Sequence, residues 1–217
     1  MDQIPPSFTE IFYELRNQIT WLHSRWIIYR QLFGHSERRI ELLNECASVF
    51  FYIIQEVLLG EVLVALSKLT DPARSMNHDN LSLEQLQSRT EAEGKTQLTT
   101  ILRNLLDRLH GKCQTFRLHR NKRLAHFDLT TAMQSTPNLL PGISREMIEE
   151  ALKLVREYMN TIEEHYNQSE TGYEHFIMSS DGDALVTILK YGLRYDELSR
   201  DQRISWEDWN EADWRDA

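Results

Sequence analysis

The sequence predicts an all-α fold: a four-helix-bundle-like domain with extra short helices and a C-terminal helical tail. Three observations predict it. Apolar residues recur at three- and four-residue spacing through four long segments. Only 8 glycines and 5 prolines punctuate 217 residues, too few for a turn-rich β fold. Apolar residues make up 41% of the chain, enough for the core of one domain, or of one domain with an elaboration.

The first helix follows Pro5-Pro6, with Ser7-Phe8-Thr9-Glu10 in the form of a capping box. Its seam is Phe8, Phe12, Leu15, Ile19, Leu22, Trp26, Tyr29 and Phe33, and Gly34 ends it. Ser36 caps a second helix that runs to Thr70 and is stopped by Asp71-Pro72. Outside a polar strip of Glu41, Glu45, Ser48, Tyr52 and Gln55, that helix is mostly apolar. It must be covered on several sides, at the centre of the bundle or by a second subunit. Gln55, Glu56 and Glu61 interrupt its apolar run, which reads as a core helix and not a membrane span.

Residues 71–80 read as a polar loop. A short helix then begins with a capping box at Ser82 and Gln85, stapled by Leu81 and Leu86. The third long helix carries Leu98, Leu102, Leu105, Leu109, Cys113 and Phe116. Residues 127–142 read as loop. Ser144 caps the fourth helix, with Ile148, Ala151, Leu152, Val155, Met159 and Ile162 on its apolar face. Asp183 to Leu193 forms a short helix through Leu185, Ile188 and Leu189.

The bundle is expected over 1–170, with 171–217 an acidic, Trp-rich helical extension packed on it. From Asp196 onward, Trp206, Trp209 and Trp214 stand among eight acids and three arginines. The indoles suit a strap across the bundle; alternatively, the acids lie over a basic segment and limit access to it.

That basic segment, 117–128, holds the candidate chemistry. Continuing the phase of the third helix past Phe116 puts Arg120 and Leu124 on its apolar face. A guanidinium directed inward needs an anion, whereas Arg117, Lys122 and Arg123 read as solvated flanking positives. In an unbroken helix His126 falls about 120° around from Arg120 and ~9 Å along. Either the helix breaks near Arg123 or the same segment of a second chain completes the site.

A formal net charge of -9 argues against a chain coated with nucleic acid or lying on an anionic membrane, so phosphate contact would be local. Cys46 and Cys113 suggest neither a disulfide framework nor a zinc site, and point to a reducing cytoplasm. The N-terminus lacks the basic and apolar regions of a signal peptide. His23, His35, His78, His165 and His175 have no partner at metal-ligand spacing, so no metal or cofactor is expected. Glu163-Glu164-His165 reads as a solvated helix end.

Arg120-Asn121 followed by His126 resembles the HEPN superfamily motif, an Arg and a polar residue with a His four to six residues on. Trp21–Trp26, Leu32-Phe33-Gly34, Arg38–Asn44, Leu66–Pro72, Asn80–Leu83 and His126-Phe127-Asp128 resemble its AbiU branch, over about residues 8–168. The resemblance implies a helical bundle, commonly a homodimer, with the motif lining a cleft between protomers. It further implies a metal-independent endoribonuclease of phage-defence or toxin–antitoxin type, with RNA, most naturally single-stranded, as substrate. In that reading Arg120, Asn121 and His126 are catalytic, Arg117, His119, Lys122 and Arg123 bind RNA phosphates, and His119 and Asp128 are candidate helpers. Some relatives instead bind nucleotides, or work with an antitoxin or nucleotidyltransferase partner. A non-catalytic binding or scaffold module is therefore the alternative.

Overall fold

The computed structural model describes residues 4–125, 129, 133 and 140–204. The α-helices whose bounds are described are α1 (Thr9–Phe33), α2 (Glu37–Leu69), α3 (Leu83–Ala92), α4 (Thr96–His119), α5 (Arg145–Asn167) and α6 (Gly182–Arg200). A five-residue π-helical turn, Arg120–Leu124, extends α4. The only strands among the described residues are β1 (Arg74–Ser75) and β2 (His78–Asp79), an antiparallel pair. Met76 and Asn77 turn the chain between them, both at positive φ, as a two-residue hairpin requires.

The chain divides into two units. The larger, Met1–Trp26 with Glu56–Ile177, carries the motif. Its core joins Phe8 and, on α1, Phe12, Leu15, Ile19, Leu22 and Trp26 to Val62, Leu63 and Leu66 of α2. Leu83 and Leu86 of α3 join them. All six apolar positions expected on α4 are buried, and so are all six on α5. A three-to-four-residue spacing holds one face inward over a whole helix, which is why these seams were readable. The smaller unit is Ile27–Gln55 with the described part of Met178–Ala217. Its core is Leu32, Leu43, Phe51 and Val186, with Ile28, Phe33, Leu42, Cys46 and Leu189 packed against it.

Several local expectations need correction. The Ser7 hydroxyl does not cap α1: it donates to Glu93 Oε1 at 2.7 Å, and the Pro5 carbonyl accepts from Phe8 and Thr9. At α3, Ser82 occupies the N-cap without a side-chain cap bond, while Gln85 Nε2 donates to the Ala73 carbonyl at 2.6 Å. Tertiary partners thus engage Ser7 and Gln85 in place of the two capping boxes. Ser36 and Ser144 do cap α2 and α5, accepting from Arg39 N–H (3.3 Å) and Met147 N–H (3.2 Å). Glu163 is not solvated. It is buried, accepts from the Thr171 hydroxyl at 2.7 Å, and lies 3.5 Å from Arg16.

α2 departs most from expectation. Ala47 leaves helical geometry inside it, so α2 is two helical runs end to end. Its most apolar eighteen residues are only 22% buried. Val49, Phe50, Tyr52, Ile53 and Val57 are exposed. By length and composition alone this helix is apolar enough to cross a membrane. The stretch from Val49 to Val57 is thus left largely uncovered by the described residues, while Val62, Leu63 and Leu66 lie in the core.

Candidate active site

The site is built where the end of α4 meets the end of α2, both within the larger unit. A helix leaves its last carbonyls without intrahelical donors and ends at negative potential. Arg117, in the last turn of α4, answers this for α2. Its Nη2 donates to the Thr70 carbonyl and hydroxyl, both at 2.8 Å, and to the Ser67 carbonyl at 3.3 Å. His110 Nε2 also meets the Thr70 carbonyl, at 3.0 Å.

Asp71 follows directly. Its Oδ1 accepts from Arg117 Nη1 at 2.6 Å, and Arg120 Nη1 bridges Oδ1 (3.2 Å) and Oδ2 (3.1 Å). Arg120 Nε donates to Asn121 Oδ1 at 3.1 Å. Nη2 of Arg120 has no partner among the described residues. The Arg120 side chain is 21% exposed and that of Asp71 is 24% exposed. The expectation of an inward guanidinium with an anion is met, and the anion is Asp71. Each such charge-assisted bond contributes about 1.5–3 kcal/mol where water is largely excluded.

Asp71 is itself held. Pro72 succeeds it, and Asn80 Nδ2 bonds the Pro72 carbonyl (2.7 Å) and Ser75 Oγ (2.9 Å). On its other side Asp71 lines a groove of about 530 Å³ between α1 and α2, with Arg25, Glu61, Lys68 and Leu81 also on the wall. A larger groove of about 970 Å³ between α4 and α5 has none of residues 117–125 in its lining.

Past His119 the chain leaves α-geometry. The Ala125 N–H donates to the Arg120 carbonyl at 2.7 Å, five residues back, in a wide π turn. Such turns are rare and frequently mark functional sites. The departure begins at Arg120 and not, as expected, near Arg123, and His126, whose angular gap motivated that expectation, lies outside the described residues. The wide turn also explains a failed expectation. Leu124 is 40% exposed and not on the apolar face, because a wider turn carries later residues out of the α4 phase. The Leu124 side chain instead lies over Gly60 of α2, which has no side chain to obstruct it.

The remaining candidates divide. Arg117 is not a solvated flank but the clamp described above. Arg123 is exposed and paired with Glu56 of α2 at 3.1 Å. His119 Nε2 meets the Pro141 carbonyl at 2.8 Å, ahead of α5. Lys122 is half-buried. His126 and Asp128 lie outside the described residues, as do Trp206, Trp209 and Trp214. Asp71 is the residue sequence reasoning missed as part of the site. Two signals pointed to it: Arg120 demanded an anion, and Asp71 lies in the Leu66–Pro72 segment already noted for its resemblance.

Elsewhere, burial pushes the Cys113 thiol up to about 12, so it is not a nucleophile at neutral pH. No cluster of three His, Cys, Asp or Glu suited to a metal occurs among the described residues.

An all-α chain with an Arg-Asn pair at the end of a core helix, and a histidine beyond it, has the architecture of a HEPN domain. The AbiU2 family of HEPN proteins matches residues 6–186, and the chain belongs to that family. It is thus an abortive-infection-related HEPN domain. The match takes in both ends of the Asp71 clamp and the start of α6, and leaves the acidic end of the chain outside it. No curated protein and no solved structure matches the chain.

Proposed function

We propose that this chain is a metal-independent endoribonuclease of phage-defence or toxin–antitoxin type. The observation that carries the reading is the state of Arg120. Its guanidinium is held at Nη1 by Asp71 and at Nε by Asn121, and Nη2, without a partner among the described residues, is the donor offered to an incoming anion.

In the reaction, His126 acts as the general base or acid, since imidazole changes protonation near neutral pH. The ribose 2'-OH loses its proton and attacks the adjacent phosphorus; the 5'-oxygen of the next nucleotide leaves and is protonated. Arg120 binds the phosphate and stabilises the charge that gathers on its oxygens. Products carry 2',3'-cyclic phosphate and 5'-OH ends. DNA resists for lack of a 2'-OH.

A second copy of the chain completes the cleft. The exposed apolar residues of α2 support this partner, because a large apolar surface on one helix is usually covered. A cytoplasmic setting, and an antitoxin or other protein that restrains the activity, belong to the same reading.

Incubating the purified protein with single-stranded RNA in EDTA tests it. Cleavage is expected to continue in EDTA and to fall by about 10²-fold or more in Arg120→Ala and His126→Ala. Undiminished cleavage in either variant removes the assignment. A scaffold or nucleotide-binding role is the second reading, favoured by the Arg120–Asp71 ion pair, which partly neutralises the anion-binding group. It predicts RNA or nucleotide binding with no cleavage by the wild-type protein.

A further inference from the structure

Arg120 and Arg117 share one carboxylate, and they share it unequally. Arg117 Nη1 sits 2.6 Å from Asp71 Oδ1, whereas both Arg120 contacts are longer, at 3.1 and 3.2 Å. Arg117 spends its Nη2 on the end of α2 and so cannot turn toward a ligand without uncapping that helix. Its charge therefore offsets Asp71. Arg120, held at Nη1 by Asp71 and at Nε by Asn121, has the plane of its fork fixed at two atoms. In a rigid guanidinium, fixing two nitrogens also fixes the direction of the third.

A carboxylate in this place has two opposite possible effects. It can compete with phosphate for Arg120, or it can aim Arg120 at phosphate. Two guanidinium groups face one carboxylate, so the cluster stays positive after pairing, and the shorter bond goes to Arg117. We propose that Asp71 is a positioning residue: it aims the Arg120 Nη2 edge at the scissile phosphate while Arg117 compensates its charge. This rests on Arg120 being the phosphate ligand of the nuclease reading. Asp71 touches neither substrate nor reacting atoms.

Asp71→Asn keeps the shape and removes the charge. Its kcat is expected to fall by about 10- to 100-fold, since small misplacements of a catalytic group cost rate steeply. KM is expected to stay level or fall, because a negative charge has left the site. Asp71→Glu should retain more of kcat than Asp71→Asn. In an Arg120→Lys background, where there is no fork to orient, Asp71→Asn should cost little further. A raised kcat in Asp71→Asn makes the carboxylate a competitor and overturns the proposal. A full additional loss in the Arg120→Lys background does the same, and also exposes a variant that merely misfolds.

A readout independent of cleavage separates this proposal from the nuclease reading. The Arg120 Nε–H resonance in a ¹⁵N-labelled sample should be protected from exchange in the wild type. Asp71→Asn should accelerate that exchange. An unchanged resonance overturns the positioning role even if the protein cleaves RNA. Altered exchange in a wild type that cuts no RNA leaves Asp71 orienting Arg120 and sinks only the nuclease reading.

Discussion

His23 lies in the core of the larger unit, its ring stacked on Tyr173 with centroids 5.8 Å apart. Its Nε2 has no hydrogen-bond partner among the described residues. Burial, with the nearby Arg156 charge, lowers its pKa to about 4; Glu174 opposes the shift weakly. The unfolded chain takes up this proton near pH 6.5 and the folded protein only near 4. Stability is therefore full above about pH 6.5 and falls as pH drops toward 4, by about 3 kcal/mol in all. Urea midpoints measured across that range should fall with pH in the wild type and flatten in His23→Phe. An unchanged slope in the variant would show that other groups carry the effect. His23 stands four residues after Ile19 and three before Trp26, beside the α1 seam, but that Tyr173 packs on its ring is decided only by the tertiary structure. Asp71 belongs to the same class. Its type and its place at a helix end were readable, but its two arginines come from 46 and 49 residues farther along the chain.

At the scale of elements, α4 and α5 were legible because their apolar faces never change phase. α6 was not. The expected short helix ran through Leu185, Ile188 and Leu189, but Val186 and Leu189 are the residues that pack, while Ile188 is 65% exposed. Two contacts fix the start of that helix. Asp181 Oδ1 accepts from the Ala184 N–H at 3.0 Å, and Gln31 Oε1 accepts from the Gly182 N–H at 3.0 Å. Together they set the rotation of α6, which a short apolar run cannot. A Cβ on Gly182 would stand 3.0 Å from the Gln31 Cβ and 3.2 Å from Leu32 Cγ. Gly182→Val should accordingly cost about 1–3 kcal/mol by overpacking. A thermal melt unchanged from the wild type would mean that α6 shifts freely to make room. The π turn after α4 is the other element the sequence could not announce. Nothing in Arg-Asn-Lys-Arg-Leu distinguishes a wide turn from an α turn, and only the i+5 bond from Ala125 does so.

At the scale of the whole molecule, the open question of α2 is what covers it. Phe50, Ile53 and Val57 fall at helical spacing and are 56%, 52% and 54% exposed. A second copy is the proposed cover, so Phe50→Glu with Ile53→Glu should convert a dimer to a monomer by light scattering and lower RNA cleavage with it. A wild type already monomeric at micromolar concentration would count against the composite cleft. The further course of the chain meets this helix too, through Arg123 on Glu56 and Leu124 over Gly60.

The sequence by itself determined the all-α class, the seams of α1, α4 and α5, the caps at Ser36 and Ser144, and the segment that carries the motif. These are local properties, set by a repeat near 3.6 residues and by side chains that reach their own backbone. It also determined that Arg120 needed an anion. Tertiary structure alone decided which anion, that Arg117 caps α2 instead of facing solvent, and that the helix widens at Arg120. Each of these depends on groups brought together from distant parts of the chain, and their partners have no fixed spacing in sequence from which to be read.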